Sequence, residues 1–533
     1  GERGLSMETQ RMGLRNRLLY SSGIISHGLK EAAMGVFVLF YYKQVLGLSG
    51  TLTGLAIAIS IIWDGVSDPL IGIWSDRLRS RIGRRHPLMI AAVIPMAAGF
   101  IMLYGPPDNV LGDPFQLFTW LLVSILLLRT ALTFFMVPYL ALGAEIIDDY
   151  HERSQLAAIR TNIAWFVCTL VSAIALIFLF NEKSSLDGRF VIENYHFFGW
   201  INGFLVILFS VMCIAGTWHY IPKLAGGAVH AGQNMLRDAF STFENKGFRS
   251  LVILDMGLGG ISSITATLLM VTYTYFWQLS ATQTSLLFAG PIILAVLLSA
   301  VFSGALNRRL EKQQVLRLTC VLSIINLLWL TPLKLLDLLP ENSSLVMALI
   351  CANWTVHTTM TILRVIVVHS MLADIADEQE LATGRRQEGV IFAAAFFSAK
   401  FVSGFSYLIA GPFLDLIGLE AGARPDEVSD TVIWGLGLIM GPGLAIIMLL
   451  PMWMSFKITM NHASQVGVRQ ALSKRHLRQS KLATTTKSAQ QGHADRNATG
   501  KDERSASSRV GPETSEYATR SNSGEHTMSR ANS

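Results

Sequence analysis

Two aspartates, Asp64 and Asp68, stand four residues apart in the segment IIWDGVSDPLIG, inside an apolar run from Leu52 to Trp74. Residues at i and i+4 share one helix face, so both carboxylates point the same way. An ionised carboxylate facing lipid is costly, so the pair must face water or a cation. Two carboxylates on one face suit a hard cation, and like charges side by side also suit a proton carrier. The alternative is a pair neutralised by an internal Arg or Lys.

Other charges interrupt apolar stretches. Lys30 and Glu31 lie in the middle of the first, Arg160 opens the fifth, Arg364 lies in the tenth, and Lys400 lies about halfway along the eleventh. Each could be an ion pair that only holds helices together. Lys400 has no acid within four residues of it, so its partner must come from elsewhere, and the opposite half of the chain could supply one. Three further segments have the look of gates. SDRLRSRIGRR begins at an acid, Asp76, followed by spaced arginines that include Arg77 and Arg81. GAEIIDD holds Glu145 and Asp148, and DIADEQELATGRRQEG holds Asp374, Asp377, Arg385 and Glu388. Charge pairs crossed between the halves would close the cytoplasmic side in one state and break in the other. Topology alone explains the arginines but not the acids.

These residues need apolar elements to carry them. The chain has 533 residues, 51% hydrophobic and 15% charged, with a mean hydropathy of +0.43. Soluble domains carry about 25% charged residues. The apolar runs are long and do not alternate, which reads as membrane-spanning helices. Twelve are expected, near 19–42, 51–74, 88–105, 116–142, 159–180, 197–221, 250–277, 284–305, 316–338, 345–371, 389–413 and 431–456. No cleavable signal peptide is expected ahead of the first. The loop SDRLRSRIGRRHP carries five arginines and NRRLEKQQVLR is also basic, whereas DLIGLEAGARPDEVSD has one arginine among several acids. The positive-inside rule then puts both termini in the cytoplasm, and a multi-pass protein of the plasma (inner) membrane is expected.

The organisation is six spans (1–221), a central cytoplasmic loop (222–249), six spans (250–456), and a basic tail (457–533) whose composition predicts disorder. GAEIIDD at 143–149 is echoed by LADIADE at 372–378, 229 residues on, and GIWSDRLRSR by GALNRRLEKQ, 232 residues on. Near-equal offsets argue for two parallel six-helix pseudo-repeats. The four cysteines, Cys168, Cys213, Cys320 and Cys351, all fall inside expected spans without a CxxC, so neither a disulfide framework nor a zinc site is suggested.

Together these residues resemble the glycoside–pentoside–hexuronide:cation symporters, the melibiose-permease-like branch of the major facilitator superfamily. WDGVSDPLIGIWSDRLRSRIGRRHP is similar to the family's second helix and the loop after it, LADIADEQELATGRRQEG to its helix 10–11 loop, and GLKEAAMGVFVLFYYKQ to its first helix with the Lys30–Glu31 pair. The resemblance implies an all-α major facilitator fold. It implies cation-site roles for Asp64, Asp68 and Thr133, with Ser67 standing where sodium-using galactoside members often carry Asn. It also places Arg160 near the sugar and Lys400 near the cation site. Met136 occupies the position of a sugar-binding aspartate, and Leu140 and Val365 occupy aromatic positions that pack on the sugar. By these matches the cation site is kept and the galactoside site is not.

The expectation is a secondary transporter, a cation-coupled symporter of a small organic solute, with a sugar or glycoside favoured by family. The alternatives are a symporter of amphiphiles such as lysophospholipids, or a transporter-like sensor that moves nothing. The coupling ion is H⁺ or Na⁺, and no cofactor, metal constellation, enzymatic activity or nucleic-acid partner is expected. Membrane lipid surrounds the chain, which is expected to act as a monomer.

Overall fold

The computed structural model describes residues 13–146, 150–181, 187–221, 243–340, 344–383, 388–458 and a few positions between 467 and 475. Among these residues the regular structure is entirely helical. Twelve helices are long and apolar enough to cross a membrane. They are α1 (Leu14–Val45), α2 (Gly50–Arg77), α3 (His86–Tyr104), α4 (Pro114–Gly143), α5 (Ile159–Phe178), α6 (Ile192–Tyr220), α7 (Lys246–Phe276), α8 (Ala281–Leu306), α9 (Lys312–Leu335), α10 (Ser344–Ala382), α11 (Ala394–Leu416) and α12 (Asp430–Ser455). The chain forms one unit to Gln465, and Val466–Ser533 forms another. Of the expected tail and central loop, 476–533 and 222–242 lie outside the described residues.

The helix ends differ from the apolar runs in an instructive way. The segment LADIADEQELA, expected as part of a loop, continues α10 as far as Ala382. Charge ends the membrane-buried stretch, but Ala, Leu, Glu and Gln are good helix formers, so the helix itself runs on. Similarly, α1 runs past its expected end through π-helical turns at Tyr41–Val45.

That end of α1 exposes the internal repeat. The turn between α1 and α2 and the turn between α7 and α8 are built alike, 231 residues apart. Each follows a π-helical segment, Tyr41–Val45 or Thr272–Phe276. Each passes through a left-handed residue, Gly47 at φ +80 or Gln278 at φ +53. Glycine adopts this conformation without steric cost, whereas glutamine does not. Each turn ends in a serine N-cap: Ser49 Oγ accepts from Leu52 N, and Ser280 Oγ from Gln283 N, both at 3.2 Å.

The two six-helix halves meet tightly at these turns. α2 and α11 cross with glycine against glycine. A methyl group at Gly411 would stand 2.8 Å from the Gly50 carbonyl carbon, and Gly54 packs on the backbone of Tyr407. Gly50 and Gly54 form a G-x-x-x-G pair, which lets helix backbones approach closely. Asp415 of α11 then reaches over the start of α2. Its Oδ1 accepts from Lys43 Nζ at 2.6 Å and Gly50 N at 2.8 Å, and its Oδ2 accepts from Thr51 N and Thr51 Oγ1, both at 2.7 Å. The second turn is held from the first half. Buried Arg189 donates to Thr274 Oγ1 and the Leu279 carbonyl, each at 2.9 Å, while pairing with Asp187 at 2.6 Å. Tyr275 donates to Gln44 Oε1 at 2.9 Å.

Candidate functional site

The acid pair sits on α2 where the helix is locally loosened. Pro69, next to Asp68, lies inside α2 and has no N–H, so the Gly65 carbonyl loses its helical donor. Gly65 also has no side chain, and a Cβ there would meet the Phe397 ring of α11 at 3.1 Å. The helix is therefore adaptable, and close to the opposite half, between the two carboxylates.

Each carboxylate has a basic partner, but not the same one. Asp64 pairs with Arg129 of α4. The Arg129 side chain is 8% exposed and that of Asp64 14%. Trp63 Nε1 donates to Thr130 Oγ1 at 2.9 Å beside this pair, fastening α2 to α4 a second time. Asp68 accepts from Thr133 Oγ1 at 2.9 Å through Oδ1, and its Oδ2 pairs with Lys400 of α11. The Lys400 side chain is 47% exposed and that of Asp68 31%, so this second pair is more open than the first. Ser67 is buried, and its hydroxyl has no hydrogen-bond partner among the described residues. Two membrane-embedded acids are thus neutralised by internal bases, one within its own half and one across to the other.

The other residues fall into three groups. Lys30 pairs with Glu31, whose Oε1 is also 3.5 Å from His27 Nε2. The Glu31 side chain is 41% exposed, so one face of this acid is open. Arg160 donates to the Tyr20 hydroxyl at 2.8 Å and lies 5.9 Å from the ring centroids of both Tyr20 and Tyr139. Those rings stack at 4.6 Å, and Tyr20 donates to the Tyr139 carbonyl, so the guanidinium is held in one orientation. Met136 is half-buried, while Leu140 and Val365 are exposed, so all three present apolar surface rather than a polar contact. Arg364 is paired with Asp255 of α7 at 2.8 Å, inside the second half and away from the acid pair on α2.

At the end of the molecule opposite the α1–α2 turn, three of the expected gate acids, Asp76, Glu145 and Asp374, each pair with a base of their own half. Arg85 Nη2 lies 2.6 Å from both Asp76 and Glu145, and Arg84 lies 3.6 Å from Glu145. Asp374 pairs with Lys312 of α9. Asp148 and Arg385 lie outside the described residues, as does the side chain of Glu388.

A family model described as MFS/sugar transport protein matches residues 19–461. The chain belongs to this family, the glycoside–pentoside–hexuronide:cation symporters. Its members in this comparison include the isoprimeverose transporter of Lactiplantibacillus pentosus, 22% identical over 410 residues, covering 76% of this chain and 81% of the relative. The sodium-dependent lysophosphatidylcholine symporter 1 of Mus musculus is 27% identical over 156 residues, 29% of each chain. Among solved structures, the nucleoside transporter NupG superposes with a TM-score of 0.60 at 13% identity, covering 82% of this chain and 98% of that one. That likeness shows the major facilitator fold. The protein is therefore a cation symporter of major facilitator type, and its family and structural neighbours are transporters.

Sequence reasoning missed Arg129, Lys43, Asp415 and Asp255. Arg129 carried a signal: in SILLLRTALTFF it is a lone charge in an apolar run, and the argument that singled out Asp64 applies to it equally. Lys43 and Asp415 lie near span ends, where charge is ordinary, so their pairing left no mark in the sequence.

Proposed function

We propose that this symporter carries a sugar or small glycoside, driven by a coupling ion that binds at Asp68 and displaces Lys400. The observation that supports this is the Asp68–Lys400 pair. It joins the halves through residues 332 positions apart, and it is the more exposed of the two acid–base pairs on α2, with the Thr133 hydroxyl beside it. A cation arriving at Asp68 removes the charge that holds Lys400, so ion binding is coupled to the relation between the halves. Glu31 and Arg160 supply an acceptor and an oriented donor for substrate hydroxyls. We further propose that the arginine-rich end is cytoplasmic, so that the closure at the α1–α2 turn faces outwards and the conformation described is inward-facing.

A second reading, an amphiphilic substrate such as a lysophospholipid, is favoured by one observation. Met136, Leu140 and Val365 are apolar at the positions expected to recognise sugar, and Leu140 and Val365 are exposed. Uptake into proteoliposomes under imposed proton or sodium gradients, comparing isoprimeverose and simple glycosides with lysophosphatidylcholine, separates the two. Asp68→Asn should abolish concentrative uptake of whichever substrate is carried while the protein stays folded. Wild-type accumulation by Asp68→Asn would refute ion coupling at this residue, and it would also fit a protein whose acids serve only structure.

A further inference from the structure

We infer that Arg129 is a tethered cation that takes the place of a coupling sodium ion at Asp64 and makes this symporter insensitive to Na⁺. The inference rests on the cation-symport reading and concerns the choice of ion.

Three acids of the central region, Glu31, Asp64 and Asp68, each have a basic partner: Lys30, Arg129 and Lys400. The three pairs are neutral as built. The three partners also differ in what can remove them. Lys400 is on α11, half-exposed, and belongs to the opposite half. Arg129 is on α4, buried, and pinned to the same half as its acid by the neighbouring Trp63–Thr130 bond. Movement of one half against the other can separate Lys400 from Asp68, but it carries Arg129 and Asp64 along together.

The consequence for ion choice is one of ligands and charge. A hard cation requires several oxygen ligands. On this face of α2 they could come from Asp64, Asp68 and Ser67, joined by Thr133 of α4. Arg129 engages Asp64 and places a full positive charge beside whatever binds at the next turn of the helix, about 5–6 Å away between Cβ atoms. One carboxylate and hydroxyls remain, which is too few oxygens and too little negative charge for Na⁺. A purely structural role for Arg129, fastening α2 to α4, makes no statement about sodium, and the test turns on that difference.

The test uses the purified full chain in detergent and needs no substrate. Melting temperature and equilibrium binding of radioactive Na⁺ are measured in NaCl against choline chloride. Wild type and Arg129→Lys should respond alike to the two salts. Arg129→Gln should gain a saturable, sodium-specific stabilisation. Its affinity for Na⁺ should rise at least about a hundredfold over wild type, the scale set by removing a unit charge a few ångströms away at an effective dielectric near 20. Adding Asp64→Asn to Arg129→Gln should abolish the gain. Saturable millimolar Na⁺ binding by the wild type would overturn the inference, as would a folded Arg129→Gln that gains none. Should Arg129→Gln not fold, the wild-type titration decides alone. Sodium binding by the wild type would leave cation symport standing. Concentrative uptake that survives Asp68→Asn would instead remove ion coupling at Asp68, whatever Arg129 does.

Discussion

Replacing Asp415 by Asn tests how the halves are held at the α1–α2 turn. Asp415 receives four hydrogen bonds, from Lys43, from the backbone of Gly50 and Thr51, and from the Thr51 hydroxyl. Two of the donors are the first amides of α2, so the carboxylate also faces the positive end of that helix. Asparagine keeps the volume but loses the charge and part of the accepting capacity. It leaves Lys43, whose side chain is 8% exposed, without its counter-ion. Breaking a buried pair costs about 3–5 kcal/mol. The Asp415 side chain is 27% exposed, so solvent screens part of this, and about 2–3 kcal/mol is the reasonable figure. That free energy should appear as easier opening of the turn. Amide hydrogen exchange over residues 46–54 of the purified protein should speed up about 30- to 150-fold, at about 1.4 kcal/mol per factor of ten, while exchange in α3 and α6 stays unchanged. Unchanged exchange at the turn would refute the idea that Asp415 carries this closure. A uniform rise across the whole chain would mean that the substitution acts on global stability instead.

Two further outcomes follow from the packing and the apolar wall. Gly411→Val should prevent α2 and α11 from closing, since even a methyl there meets the Gly50 backbone; the melting temperature should fall, and an unchanged melting temperature would refute the close crossing. Wild-type galactoside affinity should be poor, weakened about tenfold or more for each unmet hydrogen bond, since Met136 cannot accept a sugar hydroxyl's proton; Met136→Asp should fold normally and gain weak binding by isothermal titration, and tight binding by the wild type would refute this placement of Met136.

Much of this was readable before any coordinates. Charge cannot be left in hydrocarbon without a reason, so Asp64, Asp68 and Lys400 stood out from their apolar surroundings. Lys400 has no acid nearby on its own helix, so a distant partner was required by chemistry alone. The limits of helices were less legible, because hydropathy reports where lipid ends rather than where backbone hydrogen bonding ends. LADIADEQELA is the case in point: too charged for hydrocarbon, yet composed of helix formers, and helical in the structure.

By itself the sequence determined twelve apolar helices, their division into two repeats, and the facing carboxylates on α2, because helix period and the cost of burying charge act locally. Only the tertiary structure decided which base serves which acid. Arg129, not Lys400, sits on Asp64, Lys400 reaches Asp68 across 332 residues, and Asp415 reaches Lys43 across 372. Those choices depend on where helices cross, and the crossing of α2 with α11 is set by glycines whose only contribution is the absence of a side chain. A pairing between charges far apart in the chain is a property of that geometry, which no local pattern encodes.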